Sequence, residues 1–172
     1  MQNPQPGKEG STGAEVDREQ RKQEAKELAR FGYDSVRDIV VGQEKGGTDV
    51  SKGPDDQFWT DDRRTSPFTT RSGEQVFISV RSTEPAVHPA PEGGIQPDSI
   101  EVKLWQRMPD SEHFGEVATV ISPREGEGDP RIELGEYGHV LHPDMPDHEI
   151  APVVRDSIEQ GHLQAYKLRG AT

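Results

Sequence analysis

The sequence has no cysteine, which excludes disulfide bridges, thiolate nucleophiles and thiolate-ligated zinc or iron–sulfur centres. No stretch approaches the roughly 18 consecutive apolar residues that a membrane helix needs, and residues 1–13 lack the apolar core of a secretory signal. These absences predict a cytoplasmic protein with no membrane partner. A Gly-x-Ser-x-Gly elbow and a Gly-x-x-x-x-Gly-Lys-Ser/Thr phosphate loop are also missing, so neither of those motifs carries a catalytic reading.

Large apolar side chains are scarce. Leu, Ile, Val and Phe supply 33 of 172 residues, near the level of roughly 20% below which a charged chain leans towards disorder. The shortage is uneven, because residues 1–34 hold only Val16, Leu28 and Phe31 from that set. One core, placed behind this polar front, is the expectation for a chain of this length. The 18 Gly and 14 Pro predict many turns and long connections.

Acidic charge is present in excess. The net charge is -12, and between Met108 and Gln160 thirteen acids face three bases, whereas residues 1–34 are nearly neutral. A field of that sign attracts basic proteins and repels nucleic-acid backbones and anionic lipid. Direct nucleic-acid binding is therefore not expected.

Along the chain, residues 1–13 read as a disordered tail. Residues 14–41 read as a helical segment, opened by a Thr12/Glu15 capping box, ended once at Gly32 and resumed as a short helix carrying Val36, Ile39 and Val40. Residues 42–73 show little periodicity and read as a flexible loop or linker. Residues 74–172 read as a β-rich globular domain. In it, Val76, Ile78 and Val80 alternate, as do Ile100, Val102 and Leu104, and further strands are expected at 115–121, 131–134 and 137–141. A helix from Pro152 to Gly161 and a closing strand through Leu163, Ala165, Tyr166 and Leu168 complete the reading. The fold class is α+β: a small, mainly antiparallel curled sheet or barrel of about five or six strands with one helix on its C-terminal side, because too little helix is left for βαβ crossovers.

Three polar clusters are candidates for function. His139, His142, Asp144 and His148 are imidazole and carboxylate groups of the kind that bind zinc, iron or manganese, and an open position would activate a water. Pro143 and Pro146 instead describe an exposed turn, so no cofactor is the leading expectation and a divalent metal such as zinc the alternative. Glu125, Glu127 and Asp129, with Glu133 and Glu136 beyond, space acids in a way that faintly echoes a calcium loop. Pro130 stands where the loop requires glycine, and a hairpin turn presenting acids accounts for the pattern better. Phe58 and Trp59 lie between acids in a polar stretch; with Phe68 they would tuck over the open side of the sheet, or alternatively anchor an interface.

The leading functional reading is a small acidic protein-binding module, an inhibitor, adaptor or accessory subunit. It would engage a basic or nucleic-acid-binding protein, in one version as a nucleic-acid mimic, through Phe58, Trp59, Glu125, Glu127, Asp129, Glu133 and Glu136. A metal-dependent enzyme built on the histidine cluster and a structural component of a larger assembly are the alternatives.

Overall fold

Between residues 25 and 43 the buried positions recur at helical spacing without a break: Ala25, Leu28, Ala29, Gly32, Val36, Ile39, Val40 and Gln43. The computed structural model, which describes residues 6–45, 51–52, 61–83, 99–124 and 126–170, accordingly shows one helix, α1 (Pro6–Lys45), where the sequence predicted a tail and two helices. Gly32 does not end it. This glycine lies on the buried stripe, where an added Cβ would come within 3.0 Å of both Val102 methyl groups, so its role is close approach to the sheet.

The same reasoning corrects the other end. Helix α3 (Ala151–Gly170) runs through Gly161, and the expected closing strand through Leu163, Ala165 and Tyr166 is helical. A Cβ at Gly161 would meet the Phe68 ring at 2.6 Å and Ile39 at 3.2 Å. Contacts of Gly32 with Ile158, and of Gly42 with Ala165, make the numbering of α1 and α3 rise together. The two long helices therefore run side by side in the same direction.

The sheet is antiparallel and open, in the order β1 (Ser51–Lys52), β2 (Asp61–Arg64), β4 (Gln75–Thr83), β5 (Ser99–Arg107), β6 (Phe114–Ser122), β7 (Arg131–Leu134), with β3 (Phe68–Thr69) pairing the start of β4. It does not close into a barrel. Cross-strand register sets two apolar rows on one face, Val80–Val102–Val120–Ile132 and Ile78–Leu104–Ala118–Leu134. The helices pack on these rows, which form the core with Leu28, Val36, Ile39, Val154 and Ile158. The α+β class and the alternation of β4 and β5 are as the sequence indicated.

Strands β1, β2 and β3 fall inside the stretch 42–73 that lacked periodicity. β2 and β3 pair in succession along one side of β4, interrupted at Thr65–Pro67. The Thr65 N–H donates to the Ile78 carbonyl at 2.9 Å, and the Ile78 N–H donates to Thr65 Oγ1 at 3.2 Å, so a hydroxyl stands in for a ladder carbonyl. Segments of four and two residues are too short to show a period of two.

Residues 137–141, expected as a strand, form helix α2 (Glu136–Leu141). The cause lies in β6, whose register slips by one residue opposite Leu104/Trp105 and leaves Val117 as the extra, bulged residue. The Val117 carbonyl accepts the Gly135 N–H at 2.8 Å and turns the chain after β7 into α2. At Gly138 an added Cβ would lie 2.0 Å from that carbonyl oxygen, so only glycine allows the short helix to sit there.

Candidate functional site

The face of the sheet turned away from the helices carries the alternate residues of each strand. Arg64, Ser79, Lys103, Thr119 and Glu133 form one row across it, Arg81, Glu101, Ile121 and Arg131 a second, and Phe77, Trp105 and Glu116 a third. Most of these side chains are half-buried, as expected of residues packed against strand neighbours, with no helix among the described residues above them.

At its centre stand three aromatic rings. Phe77 and Trp105 are directly opposite on β4 and β5 and stack at 5.7 Å with planes 9° apart, while Phe114 meets Phe77 edge-on at 5.1 Å. Cations cover the outer ring faces: Arg64 lies 5.9 Å from the Phe77 centroid and Lys103 lies 5.7 Å from that of Trp105. Such pairs contribute about 0.5–1.5 kcal/mol each beyond area burial.

Polar groups hold the cluster in place. The Trp105 Nε1–H donates to Ser79 Oγ at 2.9 Å. Lys103 Nζ bonds Glu116 Oε1 at 3.1 Å, and the other carboxylate oxygen of Glu116 accepts from the Thr119 hydroxyl. Arg131 Nε donates to Glu133 Oε2 at 2.9 Å. The face thus combines an aromatic centre with a surround of charges that are largely neutralised by one another.

The described residues among those singled out from sequence are spread over several elements. Phe58, Trp59 and Glu125 lie outside the described residues. Glu127 and Asp129 are exposed in the turn between β6 and β7, where Asp129 faces Lys22 of α1 at 3.6 Å. Glu133 belongs to the open sheet face, and Glu136 is exposed in the first turn of α2. β6 and β7 pair as the antiparallel hairpin that the sequence led one to expect, and Asp129 in its connection faces a base of α1.

His139 is exposed on α2, His142 follows as its C-cap, Asp144 sits in the next turn, and His148 belongs to the 3-10 helix Asp147–Ile150. The nearest carboxylate to His148 is Glu149, at 3.8 Å. Among the described residues no three His, Asp or Glu side chains are placed to hold a metal ion. Once 137–141 is a helix and not a strand, the spacing that suggested a cluster spreads its members over three short elements.

Phe77 and Trp105 were legible in one respect. Each occupies the polar phase of an alternating strand, Val76-Phe77-Ile78 and Leu104-Trp105-Gln106, so a large ring is placed on the face away from the core. Phe114 gave no such signal, because the bulge at Val117 interrupts the phase of β6.

No family model matches this chain, and neither a curated protein nor a solved structure is similar to it. No helix among the described residues is long and apolar enough to cross a membrane.

Proposed function

We propose that the chain is a small protein-binding module, of the inhibitor, adaptor or accessory-subunit kind, that docks its partner on the open face of the sheet. The observation that carries this reading is the Phe77–Trp105–Phe114 cluster at the centre of a face that no helix covers among the described residues. Aromatic anchors ringed by polar groups are the arrangement that concentrates binding energy in protein interfaces.

A basic partner remains the expectation. The net charge of -12 steers a basic protein towards the module from a distance, while the bases on the docking face are drawn into contacts with its own acids and rings. Charge in this reading sets the rate of encounter, and the aromatic centre sets the lifetime of the complex. The exposed acids Glu136, Asp144 and Glu149 add to the steering from the α2 side.

The test is affinity capture from lysate of the source cells, using the full chain and its Trp105→Ala variant, each washed at low and at high salt. A basic protein retained by the wild type, released by salt and lost with Trp105→Ala supports the reading, provided circular dichroism shows the variant folded. Equal capture by both chains overturns the docking face. Phe114→Ala, at the margin of the cluster, serves if Trp105→Ala does not fold.

A further inference from the structure

Bases are not spread over this acidic protein at random. Arg18, Lys22, Lys26 and Arg30 recur every four residues on α1, which places them on one side of the helix at intervals of about 6 Å. That side faces the turn between β6 and β7. Two adjoining clefts open there and share Asp129 and Pro130 in their walls. The larger has a volume of about 650 Å³ and the smaller about 350 Å³.

We infer that the larger cleft, between α1 and the β6–β7 turn, binds a small ligand carrying two or more linked phosphate groups. Lys26 and Arg30 enter it from α1 and Arg124 from the turn, with the Ser122 hydroxyl beside them; Asp129 is the one acid among its described lining residues. The Asp34 carboxylate holds Arg30 at 3.4 Å, which limits the rotamers that this side chain samples before a ligand arrives. Arginine and lysine from two opposed walls suit a multiply charged phosphate chain, which presents oxygens in several directions.

The turn adds backbone to the side chains. Gly126 and Gly128 have φ of 90° and 135°, and a Cβ at Gly126 would meet nothing within 4 Å. A left-handed glycine whose Cβ direction is open is a common component of anion-binding concavities. Ile100, Pro123 and Pro130 supply an apolar wall, and the volume falls in the range of small-molecule sites. Arg18, Arg21 and Lys22 line the smaller cleft together with Glu24, Asp129 and Asp147, and Lys22 is paired with Glu19 and Asp129, so the added charge of a longer phosphate chain is met within the larger cleft by Lys26, Arg30 and Arg124. Longer phosphate chains should therefore bind more tightly than shorter ones.

The experiment is differential scanning fluorimetry and calorimetry on the full chain with sodium tripolyphosphate, pyrophosphate, phosphate and sulfate at matched ionic strength, with ADP as a parallel arm. The expected stabilisation falls in the order tripolyphosphate, pyrophosphate, phosphate, with sulfate no better than phosphate. Lys26→Ala/Arg124→Ala, two exposed positions, should weaken tripolyphosphate binding at least tenfold. Arg71→Ala, which removes an exposed base bonded to Asp156 on α3, should leave it unchanged. ADP binding tighter than pyrophosphate assigns the site to nucleotides, and the reverse order assigns it to inorganic phosphate chains. Tripolyphosphate acting no more strongly than sulfate, or equally on wild type and the double variant, overturns the site; Lys26→Gln alone keeps the comparison available if the double variant does not fold.

Discussion

Glycines determine how closely the layers of this molecule approach. At Gly138 the obstacle to a side chain is the Val117 carbonyl oxygen, 2.0 Å from where Cβ would lie. Backbone cannot yield as a flexible side chain does, so Gly138→Ala should cost about 2–4 kcal/mol in urea denaturation. Gly13, also helical but with nothing within 4 Å of its Cβ direction, should behave oppositely, and Gly13→Ala should be neutral or stabilise by up to about 1 kcal/mol. Gly32 and Gly161 show why residue type alone misled. A glycine after an apolar stripe reads as a helix stop, yet here both glycines lie in phase with the stripe, and phase was the better guide.

Glutamines tie the elements together alongside the apolar core. Gln43, buried near the end of α1, accepts the Ser66 N–H at 2.7 Å and donates to the Ser66 carbonyl at 3.0 Å. From α3, Gln160 accepts the Arg71 N–H at 2.7 Å and Gln164 donates to the Thr69 carbonyl at 2.8 Å. The side of β3 away from β4 is thus held by side-chain amides that imitate a neighbouring strand. Gln43→Ala should cost about 2–3 kcal/mol and speed exchange of the Ser66 amide, whereas Gln164→Ala, which loses one exposed bond, should cost under about 1 kcal/mol. This arrangement explains which elements were readable. Strands β4 and β5 were legible because their period persists over nine residues each. Strand β3 was not, since its pairing partner on one side is a pair of helices remote in sequence. The proposed docking face left a signal in the sequence that the reading missed, large rings in the polar phase at Phe77 and Trp105, and the proposed phosphate cleft left none, because its walls come from positions near 26 and near 124 and no local pattern joins them.

At the scale of the whole molecule, α1 is part of the core and not an appendage to a domain at 74–172. Leu28, Ala29, Val36 and Ile39 are at most 1% exposed, and without them the rows of β4, β5 and β6 would lose their cover. A fragment spanning 74–172 should accordingly lack the dispersed amide spectrum of a native fold, while removal of residues 1–14, ahead of Ala25, the first buried position among the described residues, should leave stability within about 0.5 kcal/mol of the full chain. The side-by-side course of α1 and α3 has a further consequence, in time. Gly32 rests against Ile158, and at about 5–20 residues per second the ribosome makes the second of these roughly 6–25 s after the first. Throughout that interval the apolar stripe of α1 has been synthesised and the helix that shields it has not. The nascent chain therefore depends on sheet strands alone, or on a chaperone, to keep that stripe out of water until α3 emerges.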